Sequence, residues 1–69
     1  MIFELKKEQE FIELNKLLQI MRITQTGGHS KIMIKNEEIT VNGELETRVR
    51  KKIYKGDIVT IEGKEIRVV

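Results

Sequence analysis

The 69-residue sequence has no cysteine, no proline and no tryptophan, and its aromatic residues number only two phenylalanines and one tyrosine. Without cysteine, disulfides and thiolate metal sites are excluded, and a small domain must be held by packing alone. That fits a reducing cytoplasm, the compartment expected. With so few rings the core must be aliphatic. The start, Met1-Ile2-Phe3-Glu4, reaches a charge at its fourth residue, short of the apolar stretch of about 7–15 residues in a secretory signal. No run approaches the ~20 apolar residues of a membrane span, so no membrane partner is expected. His29 is the single histidine and has no nearby ligand spacing, so no metal or other cofactor is expected.

What is present is the composition of one globular domain, residues 1–69: 39% hydrophobic and 35% charged, too apolar for a disordered chain. A chain this short buries only about 60% of the surface its unfolded form exposes, so the core is small. The net charge of +2 is unevenly spread. Residues 22–55 hold eight Lys and Arg against four Glu, whereas the segments on either side are each net −1. The central half is where a polyanion would be attracted.

Ile2 to Leu5 alternates apolar and polar, as a short strand does. From Phe11 the spacing changes: Phe11, Leu14, Leu17, Leu18 and Met21 recur at three- and four-residue intervals, predicting an amphipathic helix of about three turns that ends by Thr24. Ser30 to Asn36 is open to two readings. As a strand, Ile32 and Ile34 face one way; as a helix, Thr26 is the N-cap, Ser30, Met33 and Ile34 face inward, and Lys31 and Lys35 stack four apart. Periodicity does not settle so short a run.

Beyond Asn36 the pattern is of strands. Ile39 and Val41 alternate before the turn dipeptide Asn42-Gly43. Arg48 to Ile53, read as extended, puts Arg48, Arg50 and Lys52 on one face. Gly56-Asp57 marks a turn, and Val59–Ile61 and Ile66–Val68 form a closing hairpin. The expected fold is therefore α+β, two packed helices against a small, mostly antiparallel β-sheet.

Three uses of Gln25-Thr26-Gly27-Gly28-His29-Ser30-Lys31 compete. A nucleotide-binding loop needs a Gly-Lys-Ser/Thr ending that is not there. Catalysis by His29 would need a nucleophile and an orienting carboxylate, and adjacent residues cannot supply that geometry. What the glycines do offer is open backbone N–H groups at a helix entrance, where an anion is favoured. Lys31 lies one turn further on and Arg22 just before. The alternative use of Gly27-Gly28 is to let two helices cross closely.

Arg48, Arg50, Lys51, Lys52 and Lys55 fall within eight residues with no acidic residue among them. This second basic cluster favours a polyanion site over a merely solvated face. Phe3 and Phe11 read as core, leaving Tyr54 as the one ring for stacking. Binding of single strands by stacking is thus disfavoured, and recognition of structured RNA by shape and phosphate is favoured.

The order of features, Phe11 to Ile61, resembles the RNA-binding domain named after small-subunit ribosomal protein S-four, the alpha-L motif, and within it the small bacterial proteins made of this domain alone. The resemblance rests on Thr26–Lys31, "TGGHSK", on Ile39–Arg48, "ITVNGELETR", and on Lys52–Asp57, "KIYKGD". It implies that the segment from Gly28 to Lys35 is the second helix. It also implies that Arg22, Thr26, Gly27, Gly28 and Lys31 contact the RNA backbone, with His29 at the same entrance. Lys35 extends that face, and Arg48, Arg50, Lys51 and Lys52 flank it from the sheet; Lys55 is a further RNA-binding candidate from the basic cluster. Three departures from the family pattern stand out. His29-Ser30 replaces an acidic residue and alanine. Glu37 replaces a glycine that ends the second helix, which points to Asn36 as the left-handed cap. Val49 interrupts the arginine run.

The reading is a non-enzymatic, monomeric, cytoplasmic protein that binds structured RNA, ribosomal RNA or tRNA, and through it the ribosome. Its role would lie in ribosome assembly, ribosome rescue or translation control. Replacing Lys31 and Arg48 together is expected to weaken binding without unfolding the domain. The alternative is a protein-interaction module without direct RNA contact, either a ribosome-associated adaptor or a ubiquitin-like carrier suggested by "ITVNGE". Such carriers end in Gly-Gly, whereas this sequence ends Ile66-Arg67-Val68-Val69. A detached domain of an RNA-modifying enzyme is a further rival, but no catalytic aspartate context is present.

Overall fold

The computed structural model describes residues 1–69. Ile2–Phe3 form β1, Phe11–Glu13 form β2, Leu14–Ile20 form α1 and Gly27–Lys35 form α2. The remaining strands are β3 (Ile39–Val41), β4 (Glu44–Leu45), β5 (Lys52–Tyr54), β6 (Ile58–Ile61) and β7 (Lys64–Val68). One five-stranded sheet has the order β1-β7-β6-β3-β4, and β2 and β5 make a separate two-stranded ribbon. Only the β1–β7 pair is parallel. The α+β architecture and the mostly antiparallel sheet agree with the sequence reading.

Period-two alternation decides which sheet face is buried. Ile39, Val41, Val59, Ile61, Ile66 and Val68 are buried, and Thr40, Ile58 and Thr60 between them are less so. That face meets Leu14, Leu17 and Leu18 of α1, Met33 and Ile34 of α2, and Ile12 and Ile53 of the ribbon in one aliphatic core. The β3–β4 and β6–β7 turns are two-residue turns in which Asn42 and Gly43, and Glu62 and Gly63, all have positive φ. This is the backbone that matches strand twist in tight hairpins.

The first helix departs from the periodicity. Phe11–Glu13 is a strand and α1 has 7 residues, two turns rather than three. Phe11 pairs with Tyr54, Ile12 with Ile53 and Glu13 with Lys52, and it is Ile12, not Phe11, that is buried. Pairing with a strand some forty residues away outweighs a local pattern that Leu14, Leu17 and Leu18 satisfy alone. Glu13 offers no side-chain cap. Instead the amides of Leu14 and Asn15 donate to the carbonyls of Lys51 and Val49 at 2.9 and 3.1 Å, so the basic loop closes the start of α1.

The second helix forms as its helical reading requires. Thr26 is the N-cap and its hydroxyl accepts from the His29 amide at 3.0 Å. Ser30, Met33 and Ile34 are buried, while Lys31 and Lys35 are exposed. The buried Ser30 hydroxyl is hydrogen-bonded to that of Thr24, which ties the inter-helix loop to α2.

Both helices end alike. Beyond Asn36, the Glu37 amide donates to Ile34 and the Glu38 amide to Met33. Beyond Met21, the Arg22 amide donates to Gln19 and the Ile23 amide to Leu18. These paired bonds form two Schellman motifs, whose residue just past the C-cap must be left-handed. The residues in that position are Glu37 at φ 62° and Arg22 at φ 60°. Asn36 is therefore not the left-handed cap: at φ −82° it is the C-cap itself, and Glu37 carries the strain.

Candidate nucleic-acid interface

The entrance of α2 is built from Thr26, Gly27, Gly28, His29 and Lys31, all exposed. Thr26 occupies the His29 amide, and the Ser30 amide bonds the Thr26 carbonyl. The amides of Gly27 and Gly28 have no such partner among the hydrogen bonds of the chain. A Cβ at Gly27 would come no closer than 3.9 Å to the Gln19 side-chain amide, and one at Gly28 would lie 3.9 Å from the Thr26 hydroxyl. Both are ordinary contacts, and neither glycine has a positive φ. Close helix crossing does not require these glycines. They leave two N–H groups without a partner at the positive end of a helix dipole, and add no side chain of their own there.

Arg22 stands before this entrance, beside Gln19, Ile20, Thr24 and Gln25 around a surface depression of about 570 Å³. Its left-handed backbone costs a non-glycine residue roughly 1–2 kcal/mol. The side chain is exposed and has no ion-pair partner. Lys35 follows in the last turn of α2.

The second cluster does not form the extended strand expected for Arg48 to Ile53. Only Lys52–Tyr54 is strand; Thr47–Lys51 is a loop whose carbonyls close α1. A bend there satisfies helix amides that Glu13 cannot reach. Arg48, Arg50, Lys51 and Lys52 line one depression of about 440 Å³ together with Tyr54. Lys55 is not part of it, and lies instead beside Lys6, Lys7 and Glu10 of the N-terminal segment. The two clusters sit at opposite ends of α1: Gly27 is near Gln19, and the loop bonds Leu14 and Asn15. At 1.5 Å per residue that separation is about 8 Å along the helix.

Arg48 has a task the sequence did not reveal. Its Nε and Nη2 donate to the Glu46 carboxylate at 2.9 and 3.1 Å, and its amide donates to the same group at 2.9 Å. Glu46 is buried, whereas the Arg48 side chain remains 70% exposed. The hydrogen bonds from Arg48 hold the Glu46 carboxyl below its ordinary value, against the burial that pushes it up; Lys51 adds a smaller attraction. The same bonds raise the Arg48 guanidinium. Removing the Arg48 side chain would take two of the three hydrogen bonds from a buried carboxylate and leave it the backbone amide of residue 48. Replacing Arg48 therefore carries a stability cost beside any effect on binding, and Arg50 and Lys51 are the cleaner test positions.

Asn42 and Asp57 were read only as turn formers, yet they join the two turns flanking the loop. The Asn42 amide group donates to Asp57 at 3.0 Å and its oxygen accepts from the Ile58 amide at 2.8 Å. Asp57 also accepts from the Tyr54 amide at 2.7 Å. Phe11, expected in the core, is half-buried on the outer face of the ribbon, 5.9 Å from the Tyr54 ring, with the Lys52 ammonium 5.0 Å from its centroid.

No cluster of three His, Asp or Glu side chains is arranged to hold a metal ion. No helix is long and apolar enough to cross a membrane.

A family profile described as the S4 domain matches residues 3–69. A Bacillus subtilis protein, "Probable ribosome maturation protein RlbA", is 38% identical over 56 residues, which span 81% of this chain and 79% of that one. Escherichia coli YbcJ is 36% identical over 58 residues, spanning 84% and 83% of the two chains. The solution structure of YbcJ, described as revealing an αL motif involved in RNA-binding, matches with a TM-score of 0.75 at 35% identity and covers 99% of this chain and 85% of that one. The chain belongs to the S4 domain family and carries its αL arrangement of two helices against a mostly antiparallel sheet.

Proposed function

We propose that the protein binds structured ribosomal RNA, without catalysis, as a cytoplasmic monomer acting in ribosome maturation. The observation that carries this reading is that Gly27 and Gly28, where a Cβ would meet only ordinary contacts, leave two helix-entrance amides without a hydrogen-bond partner in the chain. Amides of that kind suit a phosphate oxygen. The exposed cations Arg22, Lys31, Lys35, Arg50 and Lys52 add the long-range attraction to a polyanion. RNA binding is supported by family membership and by the description of the YbcJ structure, and ribosome maturation by the name of the Bacillus subtilis relative. The "ITVNGE" run that suggested a ubiquitin-like carrier is accounted for by the β3–β4 hairpin of the S4 domain.

The test is titration of a folded ribosomal RNA fragment across a salt series. Affinity should fall on a log–log plot with a slope of about one unit per neutralised phosphate. Replacing Lys31 and Lys51 together by Ala should reduce that slope by about two while leaving thermal unfolding unchanged. No binding at low salt, or affinity flat in salt, would sink the proposal.

A further inference from the structure

The two-stranded ribbon has one buried and one open face. Ile12 and Ile53 point into the core; Phe11, Glu13, Lys52 and Tyr54, which alternate with them, share the other side. Two of the three aromatic side chains of the protein therefore lie together on its surface. Tyr54 is 47% exposed, and its ring tilts 51° against that of Phe11. Its backbone is pinned by the Asp57 carboxylate, which is pinned in turn by Asn42. The ring is held on a fixed support. On one side Arg48, Arg50, Lys51 and Lys52 line a depression with it. Arg48 is paired with Glu46, and on the other side the ring borders Glu44, Glu46 and Asp57. Arg50, Lys51 and Lys52 are therefore the cations without an ion-pair partner beside it.

A cross-strand aromatic pair stabilises a ribbon by a fraction of a kcal/mol whatever else it does. It does not account for an exposed ring beside three cations that have no ion-pair partner. An aromatic face favours a flat π-surface, and the cations favour the phosphates attached to it. In duplex RNA the base faces are stacked on one another and closed to such a ring; a base becomes available where it is extruded.

We propose that Tyr54, supported by Phe11, is a stacking platform for one unpaired nucleobase, so that the protein selects helical RNA interrupted by a bulged nucleotide. This inference rests on the RNA-binding reading above and adds the structural class of RNA. It gives Tyr54, the one ring that the sequence left for stacking, a part in recognising structured RNA.

The experiment compares two synthetic blunt-ended duplexes of ribosomal RNA sequence, without loops, one with a single bulged adenosine and one with that nucleotide deleted. Wild-type protein should bind the bulged duplex roughly 5- to 150-fold more tightly, the stacking contribution of one base at tenfold per 1.4 kcal/mol. Tyr54→Phe, which keeps the ring face, should retain the preference. Tyr54→Leu should bring the ratio of the two affinities to about one. Equal wild-type affinity for the two duplexes, or a ratio unchanged in Tyr54→Leu, would overturn the platform and leave RNA binding standing. Failure of the wild-type protein to bind either duplex would overturn both readings. The wild-type comparison holds whatever the stability of the variants.

Discussion

Replacing Gly27 and Gly28 together by alanine should make the domain more stable and a poorer RNA binder. Both residues lie in the first turn of α2 with helical backbone, and each new methyl would meet its nearest neighbour at 3.9 Å. Gly→Ala at such a compatible position stabilises by roughly 0.4–1 kcal/mol, mainly by restricting the unfolded chain. The pair should therefore contribute about 1–2 kcal/mol, and in a domain this small each kcal/mol raises the melting temperature by about 4–8 °C. Cβ atoms on a helix tilt toward its N-terminus, so the methyls would crowd the space over the open amides. Loss of one hydrogen bond to a charged oxygen costs about 1.5–3 kcal/mol, or roughly 10- to 150-fold in affinity. Thermal unfolding followed by circular dichroism and fluorescence anisotropy with labelled ribosomal RNA read the two effects separately. If the double variant is less stable than wild type, the glycines are there for packing. If it is more stable and binds RNA equally well, the open amides are not the contact.

Arg22→Gly and Glu37→Gly form a matched pair, since each relieves a left-handed residue at the same position of a Schellman motif. Both should stabilise by about 1 kcal/mol in urea unfolding, but only Arg22→Gly should weaken RNA binding and reduce the salt slope by about one. Glu46 is held deprotonated in the folded state below its ordinary value of 4.5. Its contribution is present above that value and lost as pH falls through the depressed one. Glu46→Gln should therefore lower the urea midpoint at neutral pH and flatten the acid limb of a stability–pH curve. Ser30→Ala removes the partner of the buried Thr24 hydroxyl, and the unsatisfied group should cost about 1–3 kcal/mol in urea unfolding.

The second helix was legible only in part: its cap and inward face are local signals, but the run is too short for its period to exclude a strand, and the family resemblance chose between the two. Thr26 caps it, and Ser30, Met33 and Ile34 lie close enough in sequence to show the inward face. The Asn42-Gly43 turn was legible from its dipeptide, whereas the closing hairpin, read with strands Val59–Ile61 and Ile66–Val68, has a tighter turn at Glu62-Gly63 and a last strand that begins at Lys64. The start of the first helix was not legible, because the strand state of Phe11–Glu13 depends on Lys52–Tyr54, and no local pattern carries that pairing.

At the site, the sequence marked the cations but not what each is bonded to. Arg48 and Arg50 look equivalent in a basic run, yet Arg48 is clamped on a buried Glu46 two residues back and Arg50 has no ion-pair partner. Lys55, close to them in sequence, faces the N-terminal segment because the chain turns at Gly56-Asp57. The placement of Asn36 and Glu37 differs from expectation by one residue, because the Schellman bonds fix which residue is left-handed regardless of which one tolerates it best.

The central claim is that the helix entrance meets RNA phosphate, and amide NMR of the 15N-labelled protein tests it most directly. On titration with a folded ribosomal RNA fragment, the amides of Gly27 and Gly28 should show large, saturable shifts together with those of Lys31 and the loop Arg48–Lys51, and these shifts should reverse as salt is added. Saturable binding that leaves Gly27 and Gly28 unmoved would contradict the account.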